Sequence, residues 1–313
     1  MTSQAPTAAA PDRAAGHRLA YLAIAATIIC WASAFVGVRA AVVHISPGPL
    51  ALFRFLVASA VLAGMMLAAR ARLPQPSDLV RISFVGLIGI TIYNLGLNYG
   101  SQFLAAGSVS FIINTAPIFT AIFARLLLGE RIPKLSYFGF AISFTGVIII
   151  FSGENLSSVF QPVTFIILLA ALAHSLYFVL QKPILTRYSA LQVVSVAVWA
   201  GTLFMIPFAL DTFEQVSAAP SSAIWTVVYL GVFPGALAFA AWSYALSRLT
   251  ASNAAIFLYA VPPTAILIGW VALDELPSAM AIAGGGVALS GVAFFNYARN
   301  RATRLAAQAQ HQA

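Results

Sequence analysis

The amino-acid sequence predicts an all-α integral membrane protein of ten transmembrane helices, built as two inverted five-helix repeats (5+5). Composition is the first reason: apolar residues fill 61% of the 313 positions and charged ones only 8%, against roughly 25% charged in a soluble domain. The second is spacing. Uncharged apolar runs recur along the whole chain, and about 20 residues suffice to cross a hydrocarbon core of roughly 30 Å at 1.5 Å rise per residue. Barrel strands would instead alternate apolar and polar residues over short segments. The third is an internal repeat at an offset of 145 residues.

In chain order, residues 1–17 are rich in Ala, Pro, Ser and Thr and have too little bulk to pack, so they read as a disordered cytoplasmic tail. The first apolar run, Leu19 to Val38, is about twice the length of a secretory h-region. It ends in Val38-Arg39 and not in a small-residue cleavage site, so it is read as a span. Gly48 to Ala69, Ile82 to Tyr99, Ala106 to Leu128 and Leu135 to Ser152 complete the first repeat, residues 18–153. No charge occurs between Arg81 and Arg125, so a tight turn near Gly100 and Gly107 must divide that stretch. The second repeat, residues 161–298, holds Pro162 to Gln181, Ser189 to Leu210, Ser221 to Ser247, Thr250 to Leu273 and Pro277 to Tyr297, and residues 299–313 form a second tail.

The basic residues orient these spans. With a cytoplasmic N-terminus, all but Arg39 and Arg54 of the 16 Lys and Arg fall on the inside, while Glu154, Asp211, Glu214, Asp274 and Glu275 lie outside. This is the positive-inside pattern of a bacterial-type inner (plasma) membrane protein with both termini cytoplasmic. The net charge of +8 is therefore a topology signal, and no nucleic-acid partner is expected. The single cysteine, Cys30, excludes an intrachain disulfide and a cysteine metal cluster.

The offset of 145 superimposes Phe84–Ile148 on Tyr229–Ala293 without a gap, matching Gly86 with Gly231, Tyr99 with Tyr244, Pro117 with Pro262, Glu130 with Glu275, Gly139 with Gly284 and Gly146 with Gly291. A slightly shorter offset brings Trp31, Phe35 and Arg39 onto His174, Phe178 and Lys182. An odd number of spans per half inverts the second half, a construction that lets secondary transporters open one site to either face in turn.

Trp31-Ala-Ser-Ala-Phe35, Arg54-Phe55 after Pro47 and Pro49, Pro117 with Gly129-Glu130-Arg131, and Pro262 with Asp274-Glu275 together resemble the EamA family of the drug/metabolite transporter (DMT) superfamily, over residues 18–298. Within it the chain is most similar to the YddG-type amino-acid exporters. The resemblance implies a ten-helix basket whose third, fourth, eighth and ninth spans carry much of the lining of a central cavity, and cargo drawn from amino acids, drugs and other metabolites. One departure stands out: Ala197 occupies the position that would pair with Arg54 in the second half.

Candidate site residues come from mid-span polarity. Pro117 and Pro262, like Pro234 in the eighth span, remove their own N–H and displace the carbonyl four residues earlier, Ile113 and Leu258 for the first two. Exposed backbone at that depth is tolerated when packed in protein or lining a wet cavity. Asn94, Asn98 and Gln102 fall at i, i+4 and i+8 on one helix face, with Asn114 one turn before Pro117 and Tyr259 as its counterpart. Each amide serves either the cavity or interhelical hydrogen bonding. His174, Tyr177 and Gln181 share a face of the sixth span. His174 is either a packing residue or a proton-coupling group. Trp31, Tyr93, Tyr99, Trp242 and Tyr244 offer flat surfaces for a ring or a cation. Arg54 either bonds loop carbonyls or receives a substrate carboxylate, and Glu130 and Glu275 are read as structural. The rows Gly139, Ser143, Gly146 and Gly284, Ala288, Gly291 allow close helix approach, within one chain or across a homodimer.

All 8 carboxylates lie in tails, loops or span ends, which argues against a buried-acid proton relay and for neutral or zwitterionic cargo. The reading is thus a secondary transporter exporting small metabolites, amino acids including aromatic ones, with efflux of amphipathic drugs as the alternative. No HExxH, Walker loop, serine elbow or buried carboxylate pair supports an enzyme, and no cofactor or metal is expected. The remaining alternatives are a receptor or scaffold, which would carry a sizeable soluble domain, and a channel, which would carry a charge ring or carbonyl filter. The expected partners are a small-molecule substrate and the lipid bilayer, with the chain acting as a monomer or a homodimer.

Overall fold

The computed structural model describes residues 10–104, 106–152, 162–273 and 278–312. Glu154, Asp274 and Glu275 lie outside the described residues, as do residues 1–9 of the leading tail. The described residues form helices and the turns that join them. The first two helices are α1 (Ala10–Ala41), which takes in the end of the expected tail, and α2 (Pro47–Ala68). The stretch read as the third span is a rod of α3 (Pro76–Gly86) and α4 (Tyr93–Phe103) joined by a π-helical segment, Leu87–Ile92. In the eighth, α11 (Ser221–Leu230) and α12 (Ala238–Arg248) are joined by a second π-helical segment, Gly231–Leu237. The two π segments occupy repeat-equivalent positions.

The stretches read from the sequence as the fourth and ninth spans are irregular, also as a pair. α5 (Ala106–Ile113) ends in a turn at Asn114–Thr115 and α6 (Ala116–Leu128) starts anew with Pro117 in its first turn. α13 (Ala251–Ala255) tightens into a 3-10 segment, Ile256–Ala260, before α14 (Val261–Leu273). Proline is at home in a first helical turn, where its missing N–H has no helical partner to lose. In the second half the 3-10 turn rescues the displaced carbonyl, because Val261 N–H donates to Leu258 O.

The rest of the second half is α8 (Val163–Ile184), α9 (Ala190–Phe204), α10 (Ala209–Ala218) and α15 (Ala279–Gln312), and α7 (Ser136–Ser152) closes the first. α9 starts on a capping box formed by Ser189 and Gln192. The expected continuous span Ser189 to Leu210 is interrupted: at the 3-10 turn Ile206–Phe208, which contains Pro207, the chain bends by 50° into α10. Among the described residues eight helices are long and apolar enough to cross a membrane, or nine if that bent pair is one span, and Ser136–Ile150 is a shorter apolar helix. Their outward faces are apolar, with Leu67, Leu126, Phe213 and Trp225 70–80% exposed. Such a surface is stable in lipid and not in water.

The two small-residue rows meet each other. A Cβ on Gly139 would strike Phe295, one on Gly146 the backbone of Ala288 and Gly284, and one on Gly291 that of Ser143 and Gly139. Ser143 Oγ donates to the Ala288 carbonyl at 2.9 Å, and these two residues are 145 positions apart, repeat counterparts of one another. Residue numbers rise along α7 as they fall along α15, so the equivalent helices run antiparallel. The rows therefore close α7 on α15 within one chain.

A second matched pair ties down helix ends. Arg39 donates to the Ser101 carbonyl at 2.5 Å at the end of α4, and Lys182 donates to the Leu246 carbonyl at 2.6 Å near the end of α12. Ser101 and Leu246 are counterparts at offset 145, and a cation is favourable at the carbonyl end of a helix. Glu130 fills the complementary role. Gly129, at φ 65°, ends α6 in the left-handed conformation that glycine takes at little cost. The next residue then reaches the N-terminus of α13, where its carboxylate accepts from Ala251 N at 2.8 Å, Ser252 N at 3.1 Å and Ser252 Oγ at 2.8 Å.

Candidate functional site

A cavity lies at the level of the helix breaks, and both halves wall it. α1 contributes Trp31, Ala34 and Phe35; α2 contributes Arg54; α4 contributes Tyr93 and Leu97. The break in the fourth span adds Ile113, Asn114, Ala116 and Pro117, and the second half adds His174 from α8, Phe239 from α12, and Leu258 and Val261 from the ninth-span break. The first, second and sixth spans thus share the lining with the third, fourth, eighth and ninth that the family resemblance implies. The free space is about 40 Å³. At roughly 10–15 Å³ for each water, that holds about three waters. A metabolite enters such a space only if the walls move.

One end of the cavity is a box of rings. His174 stacks on Tyr93 at 3.8 Å between centroids, with 5° between planes, and packs against Phe178 at 4.2 Å. Trp31 lies 5.3 Å from His174 and 5.4 Å from Phe239, and its Nε1 donates to the Pro234 carbonyl at 3.3 Å. That carbonyl belongs to the π-helical segment, so the widened turn positions a wall of the cavity. His174 is 3% exposed, and neither ring nitrogen has a hydrogen-bond partner among the described residues.

The polar side of the cavity is built around α4 and the fourth-span break. Asn94 is fully buried behind the wall, where its Oδ1 accepts from Arg54 Nη1 at 3.2 Å and its Nδ2 donates to the Ile90 carbonyl at 2.8 Å. Asn114 Nδ2 donates to the Ser110 carbonyl at 2.7 Å. Ile113, whose carbonyl has lost its i+4 donor to Pro117, is in the wall beside it.

Of the residues singled out from the sequence, the structure brings Trp31, Tyr93, Asn114, Pro117 and His174 to the cavity surface. Asn94, Tyr177 and Trp242 form a layer directly behind it: Trp242 lies 5.5 Å from Trp31, and Tyr177 lies 5.9 Å from Phe239. The others lie apart. Asn98 donates to the Pro47 carbonyl at 3.2 Å, an interhelical bond. Tyr99 is 41% exposed and, with Gln102, borders an open hollow of about 570 Å³ beside Ser46–Pro49. Tyr244 sits under the Arg248 guanidinium at 5.6 Å. Tyr259 is buried among Phe140 and its neighbours beside the α7–α15 seam, and Pro262 is buried next to the wall residue Val261. Phe239 and Leu97 line the cavity without having been singled out, and Arg54, read from the sequence as bonding either loop carbonyls or a substrate carboxylate, lines it as well. Among the described residues no group of His, Cys, Asp or Glu is placed to hold a metal ion.

A family model for EamA-like transporters matches residues 18–152 and 161–297, so each half carries one copy of the unit. With the paired helix breaks around a shared cavity, this makes the chain a multi-pass membrane transporter and not an enzyme. It belongs to the EamA-like transporter family. It is 34% identical over 274 residues to a probable terminal-alkyne amino-acid exporter of Streptantibioticus cattleyicolor, covering 88% of this chain and 92% of that one. It is 35% identical over 264 residues to the uncharacterized transporter YdfC of Bacillus subtilis, covering 84% and 86%. It is also 28% identical over 254 residues to the uncharacterized inner membrane transporter YedA of Escherichia coli, covering 79% and 80%. A solved crystal structure superposes with a TM-score of 0.73 at 21% identity, over 90% of this chain and 98% of its own, which shows the shared fold.

Proposed function

We propose that the protein exports small neutral or zwitterionic metabolites, amino acids including aromatic ones, by alternating access through the central cavity. The observation that carries this reading is the cavity itself: an aromatic box on one side, an amide and a broken helix on the other, with walls drawn from both repeats. Its present volume is too small for an amino acid, so the reading requires the walls to part. The name of the exporter relative supports amino acids as the class. The reading includes ten spans in inverted halves, which the antiparallel α7–α15 pair supports, and both termini in the cytoplasm of an inner membrane, which the distribution of Lys and Arg supports. The cavity residues named from the sequence are its proposed site, with His174 the candidate for proton coupling.

The test is flux. Proteoliposomes loaded with labelled neutral amino acids, aromatic ones among them, are expected to show saturable efflux. Absence of saturable flux for every one of them rejects the assignment. Repeating the measurement with an imposed pH gradient and with His174→Ala separates coupled from facilitated export, since flux indifferent to both leaves only the facilitated form.

A further inference from the structure

Arg54 is a buried cation with unused donors. It is 3% exposed and faces the cavity from α2. Its Nε donates to the Leu230 carbonyl at 3.2 Å and one Nη1 N–H to Asn94 Oδ1 at 3.2 Å. A guanidinium carries five N–H donors, and the others have no hydrogen-bond partner among the described residues. Both acceptors it does use are neutral. Among the described residues the salt bridge is Arg187–Asp78 at 3.0 Å, elsewhere in the molecule. Buried charges are ordinarily paired, so the absent counter-charge is the question this residue poses.

Helix packing does not demand the side chain. A Cβ on Gly231 would strike the Arg54 carbonyl, and one on Gly86 would strike the Ala197 carbonyl. Gly86 and Gly231 are repeat counterparts, so the two halves make the same close crossing, once with arginine and once with alanine. The arginine is present in one half and not in the other.

We infer that Arg54 receives the carboxylate of the cargo, which fixes the cargo class as small monocarboxylates with a compact apolar or aromatic remainder, amino acids among them. This rests on the reading of the central cavity as the cargo site. The free N–H groups suit the two oxygens of a carboxylate, the arrangement in which arginine binds most strongly. The rings of Trp31, Tyr93, His174 and Phe239 take the remainder. No acidic side chain among the described residues lines the cavity, so an ammonium group has no ionic partner among them. The carboxylate is required and the amino group optional, a narrower rule than neutral or zwitterionic cargo.

Three probes differ in these groups alone: phenylalanine, 3-phenylpropionate and phenylalaninamide. In proteoliposomes, excess unlabelled phenylalanine and 3-phenylpropionate are expected to inhibit labelled phenylalanine flux, and the amide is not. Arg54→Gln should weaken binding of both carboxylates about 10- to 100-fold, read as loss of ligand-induced thermal stabilisation of the purified protein. Arg54→Lys should retain part of it. Inhibition by the amide equal to that by the carboxylates overturns the inference, as does no inhibition by either carboxylate, or Arg54→Gln protein that keeps the carboxylate preference. If Arg54→Gln does not fold, the wild-type probe series and Arg54→Lys decide. Tyr93→Ala and Asn114→Ala test the foundation separately: if neither alters flux or binding while the carboxylate rule holds, the cavity reading fails and not the chemistry of the cargo.

Discussion

Tyr93 and His174, one from each half of the chain, lie face to face with ring centroids 3.8 Å apart and planes within 5° of parallel. The stack bridges α4 and α8 across the cavity wall, so any motion that enlarges the cavity between those helices must part the rings. An aromatic pair contributes about 0.5–1.5 kcal/mol beyond its buried area. A double-mutant cycle of Tyr93→Ala and His174→Ala, read by thermal unfolding in detergent, is expected to show coupling of that size. Additive losses would mean the rings are merely neighbours. His174→Phe keeps a ring without the nitrogens, so it should preserve the coupling while abolishing any effect of a pH gradient on flux.

Glu130 caps the start of α13 through two backbone N–H groups and the Ser252 hydroxyl. Loss of a capping side chain costs about 0.5–2 kcal/mol, with the upper end expected for a charged acceptor. Glu130→Ala should lower the unfolding midpoint clearly and Ser252→Ala less. Equal midpoints for Glu130→Ala and the parent protein would show that the cap contributes nothing.

The α7–α15 seam predicts an intramolecular cross-link. With Cys30 replaced, Ser143→Cys paired with Ala288→Cys should oxidise to a species that runs as a single chain. A product of twice the mass would place the seam between two chains and revive the dimer reading. Gly146→Val drives a side chain into the backbone of Ala288 and should destabilise by at least about 1–3 kcal/mol, as overpacking does, seen as poor recovery from the membrane.

Arg39 and Lys182 hold counterpart carbonyls on opposite faces, by the proposed topology. Charge at a helix C-terminus contributes about 0.3–1 kcal/mol, and up to about 2 when partly buried. Arg39→Ala should therefore raise thiol-reagent access to cysteines introduced near Ser101, and Lys182→Ala access near Leu246. A change on the same face from both substitutions would refute the pairing.

The sequence was informative where a residue type has a fixed effect on backbone or solvation. Pro117 and Pro262 mark irregular turns because neither has an N–H for the carbonyl four residues earlier, and Asn114 lines the cavity beside the first of them. The weak match of Arg39 to Lys182 gains support from the carbonyls they hold. The π-helical segments were not legible. One extra residue in a turn has no compositional signature, and neither Gly231 nor Leu87 announces it. Phe239 and Leu97 resemble every other apolar residue until the helix facing is known. Arg54 was visible as a charge, but its acceptors Leu230 and Asn94 lie 176 and 40 positions away. The sequence left loop carbonyls and a substrate carboxylate as its two readings, and the carbonyl it bonds belongs to a helix. Tyr99, Tyr244 and Tyr259 share the chemistry of the wall aromatics and differ only in azimuth and depth, which a linear pattern does not resolve.

The pairing of Ser143 with its own counterpart has a consequence for how such a chain changes over generations. Ser143 touches its own counterpart, so a change of size at either position is felt at once by the other copy. Arg54 and Ala197 do not touch each other: each crosses a glycine of the other half, Gly231 and Gly86. Along the spine the twin copies stay small even where they differ, as Ser143 and Ala288 do, whereas Arg54, which faces the hollow, departs from its counterpart Ala197 in both bulk and charge.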